Sequence, residues 1–299
     1  MTKAWWSVRF FYAATFFFAY AEANVLWNLT NGGAPLQPRW VVAWMPDALT
    51  GGTIATTAYL VGASAGLIFM QHRWARILVC ITLVQAAGFR YSFGGLNHGY
   101  HFWIWVSFCL CFLPDGNLSR LSQSYASRHR YLTAFWLAMA LVAVFYSLSG
   151  FWKVAAGLEA MIAGNINSFS PTALATIVAD KLQQSGDNTL LGPFLLDRPL
   201  LGWPAHLWVI YVELLAIVAV FRPSLHQTWG LMLIVFHIGT FLLMGIVFAK
   251  HVLLLTLLYL WSPFANPFDL RRVLAVLPLV GWPSRHRLGS SRGLEDSGA

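Results

Sequence analysis

The chain has 299 residues, of which 58% are hydrophobic and only 10% charged, with a net charge of +8. A soluble domain carries about 25% charged residues, so this composition excludes an ordinary soluble globule. Long apolar runs near the ~20 residues that cross a bilayer argue for a polytopic helical membrane protein, and the absence of ten-residue alternation argues against a barrel. The expected fold class is therefore all-α: one transmembrane bundle of about eight spans over residues 1–265, then a basic tail over 266–299.

The first span is expected over about residues 5–27. Its aromatic residues resemble interfacial anchors, and no clean cleavage site follows, so it reads as a retained helix. NLTNGGAPLQPRW is a Gly/Pro-punctuated loop. Spans at about 50–70, 74–93, 99–113 and 131–152 follow, with a polar stretch at 115–130. The segment KVAAGLEAMIAGNI reads as a helical extension or an interfacial helix, and TALATIVADKLQQSGDN as an amphipathic helix ending at Gly186. The last spans fall at 204–221, 227–249 and within HVLLLTLLYLW. A short apolar patch in the tail, VLAVLPLVGW, suits the membrane surface.

Basic residues set the orientation. With the N-terminus inside, twelve lie on the cytoplasmic side: Lys3, Arg73, Arg76, Arg120, Arg128, Arg130, Arg222, Arg271, Arg272, Arg285, Arg287 and Arg292. Six lie outside: Arg39, Arg90, Lys153, Lys181, Arg198 and Lys250. Both termini are therefore expected in the cytoplasm of a bacterial inner membrane, with residues 154–203 outside. The positive charge is read as contact with anionic lipid and not with nucleic acid. Cys80, Cys109 and Cys111 all lie in apolar runs and read as packing residues.

Several polar residues interrupt this apolar background. GGLNHGYH places Asn97 and His98 at a turn, with Gly95 and Gly99 on either side permitting close approach. On the N-in topology this turn shares the outer side with Lys153, which follows Phe151 and Trp152. Partial burial favours the neutral form of an amine, which can then act as a base. The ordinary alternatives are a snorkelling lysine and a hydrogen-bonded histidine at a turn. Glu22 and Glu213 are carboxylates within expected spans, and the cost of charge in hydrocarbon predicts that they face inward to polar partners such as His237 or Gln85. No HExxH, CxxC, phosphate loop or nucleotide fingerprint is present, and no metal is expected.

Three segments in order carry a resemblance: LNHGYHFWIWVSFCLCFLP, FYSLSGFWKVAAGLEAM and VFHIGTFLLMGIVFAKHVLLLTLLYLWSP. Together they resemble the vitamin K-dependent gamma-carboxylase family and its bacterial HTTM (horizontally transferred transmembrane domain) relatives. The resemblance runs from about the second span to the eighth. It implies an HTTM-like bundle in which Lys153 is the base acting on a quinol and His98, with Asn97, assists near the reacting carbon. Tyr100, Phe151 and Trp152 are expected to line a ring pocket, as apolar pockets with few convergent polar groups usually do, with His237 as a further candidate for substrate binding. In the carboxylases a large lumenal domain holds the protein substrate, whereas residues 266–299 here are a short basic stretch.

The function expected from this resemblance is a membrane enzyme related to quinol-dependent carboxylases and oxidoreductases. It would act on a quinone-like or other hydrophobic small molecule. Two other readings stand beside it. In one the chain is a non-catalytic scaffold or assembly factor that binds a membrane protein partner through 154–203. In the other it is a proton-coupled transporter using Glu22 and Glu213.

Overall fold

The computed structural model describes residues 1–31, 40, 42–45, 48–94, 98–186 and 189–279. Among these residues the secondary structure is helical, with no strand. Among the described residues three helical stretches are long and apolar enough to cross a membrane: Leu49–Phe69, Tyr125–Ile162 and Pro223–Met244. The chain divides into two compact units, residues 1–142 with 248–263 and residues 143–247 with 264–299.

The first unit contains α1 (Thr2–Asn31), α2 (Ala48–Phe69), α3 (Arg73–Tyr91), α4 (His101–Leu110), α5 (Leu118–Gln123) and the first half of α6 (Tyr125–Ile162). α12 (Ala249–Leu255) also belongs to this unit and continues as a π turn over Thr256–Leu260. Apolar helices gain little from one another by hydrophobicity inside lipid, so their packing depends on close backbone approach. In α2, Gly62 and Gly66 provide it. A Cβ on Gly62 would lie 2.2 Å from Thr82 Oγ1 on α3, and one on Gly66 would lie 2.4 Å from Val79 Cγ2 and 2.9 Å from Tyr12 Cδ1 on α1. Sparse polar contacts fix the register. Trp103 Nε1 donates to Thr15 Oγ1 at 2.9 Å, Ser7 Oγ donates to the Leu257 carbonyl at 3.1 Å, and the Trp103 ring stacks on Phe11 at 4.6 Å. Buried Arg76 donates to the Met70 carbonyl at 2.8 Å and to Asp115 at 3.0 Å, tying the start of α3 to the loop after α4.

The second unit contains the rest of α6, then α7 (Ala173–Ser185), α8 (Gly192–Asp197), α9 (Gly202–Leu214), α10 (Ala216–Val220), α11 (His226–Met244) and α13 (Leu270–Val276). α7 matches the expected amphipathic helix. Gly186 ends it at φ +68°, the left-handed conformation that glycine adopts without penalty. Val178 on α7 and Leu195 on α8 pack with Met244 on α11 in a small apolar cluster. Two expected boundaries move. The helix expected as the fifth span, α6, is continuous over 38 residues, about 57 Å at 1.5 Å per residue; it takes in KVAAGLEAMI as the helical extension, one of the two readings of that segment, so Lys153 sits within it and not at its end. The expected sixth span is broken at Leu215, between α9 and α10.

Candidate functional site

The site in the second unit is built on one stripe of α6. Tyr146, Ser149, Gly150 and Lys153 recur at i, i+3, i+4 and i+7 on α6, so they share a face, and Ser147 lies to one side of it. Gly150 brings that face against the α9 backbone. A Cβ there would lie 2.3 Å from Leu214 N and 2.6 Å from Leu214 Cα, which no side chain can accommodate. Ser147 Oγ accepts from Ile217 N at 2.9 Å and satisfies an amide at the α9–α10 break. The break is thus held on α6 at two points, and Glu213, immediately N-terminal to it, faces the Lys153 turn.

Lys153 Nζ donates to Glu213 Oε2 in a direct ion pair, and also to Ser149 Oγ at 3.3 Å. Ser149 Oγ lies 3.4 Å from the other oxygen, Glu213 Oε1. The Glu213 side chain is 4% exposed and that of Lys153 32%, so the carboxylate is enclosed while the amine reaches its edge. The Phe236 ring, with its centroid 5.8 Å from Lys153 Nζ, covers another side of the amine. Two turns earlier on α6, Tyr146 Oη and His237 Nε2 are hydrogen-bonded at 2.5 Å, and both residues are buried. One helix face therefore carries an ammonium–carboxylate pair and a phenol–imidazole pair, about 10.5 Å apart along the axis. Each pair can exchange a proton between its partners.

The remaining expected residues divide between the units. Glu213 does face inward, but its partners are Lys153 and Ser149 and not His237 or Gln85. Phe151 and Trp152 are 58% and 69% exposed, so they point outward and do not enclose the amine. The ring found beside Lys153 is Phe236. Tyr100, Glu22, Gln85 and His98 belong to the first unit. There His98 opens a short 3-10 turn, His98–Tyr100, and Asn97 lies outside the described residues. Tyr100 is buried. Glu22 pairs with Arg90 and Lys250, while Gln85 is half-buried and takes part in neither cluster. Among the described residues no group of three His, Cys, Asp or Glu side chains gathers as metal ligands.

No family model, curated protein or solved structure matches the chain. The residues missed by reading the sequence were Tyr146, Ser147, Ser149 and Phe236. The α6 stripe carried a usable signal, since polar and small residues at positions 146, 149, 150 and 153 mark one helix face. The pairing of Lys153 with Glu213, sixty residues later, carried none.

Proposed function

We propose that this chain is an integral membrane enzyme related to quinol-dependent carboxylases and oxidoreductases, with Lys153 as the base and a lipid-soluble, quinol-like molecule as substrate. The observation that carries this reading is the Lys153–Glu213 pair, in which a buried carboxylate is aimed at an amine that reaches the edge of the unit. Transfer of the ammonium proton to Glu213 leaves a neutral amine beside a neutral acid. A substrate hydroxyl then gives its proton to Nζ, regenerating the ammonium beside the new oxyanion. Ser149 donates to the carboxylate and accepts from the amine, so it orients both groups. The Phe236 face excludes water from one side and offers an apolar surface to a ring.

The fuller architecture belongs to the same proposal. It is an HTTM-like bundle of eight spans in a bacterial inner membrane with both termini in the cytoplasm, supported by the three membrane-length helices and the distribution of basic residues.

The decisive experiment compares wild type with Lys153→Arg in a strain deleted for the gene. Arginine keeps the charge and the pair with Glu213 but does not release a proton at neutral pH. Normal membrane yield with loss of complementation is expected, since a lost general base costs typically 10²-fold or more. Full complementation by Lys153→Arg would instead establish the scaffold reading, in which only the charge is needed.

A further inference from the structure

The first unit holds a second charged cluster, separate in composition from the Lys153 site. Glu22 on α1 pairs with Arg90, one residue before the end of α3, and with Lys250 on the first turn of α12 at 2.9 Å. Two positive charges therefore face one negative charge, leaving a formal excess of +1. The cluster is largely enclosed, with Lys250 and Glu22 side chains each 14% exposed and Arg90 27%. Among the described residues of this unit the other carboxylate, Asp115, is engaged by Arg76 and by the Arg73 amide. Asp47 lies outside the described residues.

The hydrogen-bonding balance points the same way. Arginine presents five donors, lysine three, and neither accepts. The two oxygens of Glu22 leave most of these donors to other partners. Part of the charge is met by ring faces: Lys250 Nζ is 3.8 Å from the Tyr100 centroid and 5.4 Å from that of Phe18, and the Arg90 guanidinium lies 5.8 Å from Tyr100. Rings accept no second strong hydrogen bond. Among the described residues the cluster is thus rich in donors, poor in acceptors and net cationic. A neutral carbonyl would fill the acceptor deficit but leave the charge. A singly charged oxyanion answers both.

We infer that the Glu22–Arg90–Lys250 cluster is a binding site for an oxyanion, either a phosphate of an anionic phospholipid or a soluble phosphate-like anion. Arg90 supplies the planar fork that suits phosphate oxygens, and Lys250 supplies a point charge. Glu22 holds the two cations in place so that they do not separate in the absence of the ligand. The position of Arg90 at a helix end and of Lys250 at a helix start suits a ligand arriving at headgroup level.

Native mass spectrometry of the purified full-length protein, with equimolar phosphatidylglycerol and phosphatidylcholine, tests the lipid source. Thermal unfolding in zwitterionic detergent with added inorganic phosphate tests the soluble one. Wild type is expected to retain one of the two anions about tenfold more strongly than Lys250→Gln, the loss of one charge-assisted contact. Lys250→Arg should keep the preference. Lys250→Gln leaves Glu22 paired with Arg90, so the fold is expected to survive. If its folded yield nonetheless fails, Arg90→Lys, which keeps the charge and loses the planar fork, carries the comparison and should weaken retention. Equal responses of wild type and variant to both phosphatidylglycerol and phosphate would overturn the inference. So would selectivity that appears only in Asp47→Asn, because the anion would then be the chain's own.

Discussion

Gly150 on α6 lies directly beneath the backbone of Leu214 on α9, so close that a Cβ would sit 2.3 Å from the Leu214 nitrogen. That single missing methyl allows Lys153, one turn later on α6, to reach Glu213. Replacing it with alanine must push α9 away or bend α6, and overpacking of this kind costs about 1–3 kcal/mol. Gly150→Ala is expected to lower the melting temperature in detergent and to reduce function together. A stability equal to wild type would mean that the two helices do not approach as closely as described.

The Lys153–Glu213 pair should behave as a coupled unit. Lys153→Met leaves a buried carboxylate without its cation, a change that costs up to about 3 kcal/mol. Glu213→Gln should cost less, because Lys153 is 32% exposed and its amine can turn outward. The double variant should be less destabilised than the sum of the two by more than about 1 kcal/mol. Denaturation of all four proteins in one detergent gives the coupling directly, and simple additivity would show that the pair contributes nothing.

Ser147 is expected to protect one amide at the α9–α10 break. Ser147→Ala removes the acceptor of Ile217 N–H and should cost about 1–2 kcal/mol. Hydrogen exchange read over residues 214–220 should accelerate in the variant, while exchange in α7 stays unchanged. Uniform exchange across both regions would place the capping of Ile217 elsewhere.

Tyr146→Phe separates the two proton-bearing pairs experimentally. It removes the hydroxyl hydrogen-bonded to His237 and leaves Lys153 and Glu213 untouched. A stability loss of about 1 kcal/mol is expected. Complementation that survives this substitution but not Lys153→Arg would assign proton abstraction to the lysine pair alone. Loss in both would extend the working site to His237.

The orientation can be read by labelling. Cysteine introduced at Ser185, at the end of α7, should react with an impermeant reagent from outside intact cells, and cysteine at Ser290 should not. The reverse pattern would turn the bundle over, and with it the side from which Lys153 is reached.

Composition and apolar run length alone determined that this chain is helical and suited to a membrane, because bilayer thickness and the need to satisfy backbone polar groups admit few alternatives. The amphipathic pattern of α7 and its glycine stop were also local properties, and both were legible. Tertiary structure alone decided which polar residues meet. Glu22 and Glu213 advertised themselves as residues that must find partners, since charge in hydrocarbon is costly. Their partners, Lys250 and Lys153, come from helices 228 and 60 residues away, and nothing in local spacing selects them over His237 or Gln85. Phe151 and Trp152 were the nearest rings to Lys153 in sequence, yet adjacent helical residues point in different directions, and the ring beside the amine comes from α11. The choice rests on contacts such as Gly150 against Leu214, where two backbones approach because one side chain is absent. The value of that absence depends on the facing helix, so it can be read only after the chain has folded.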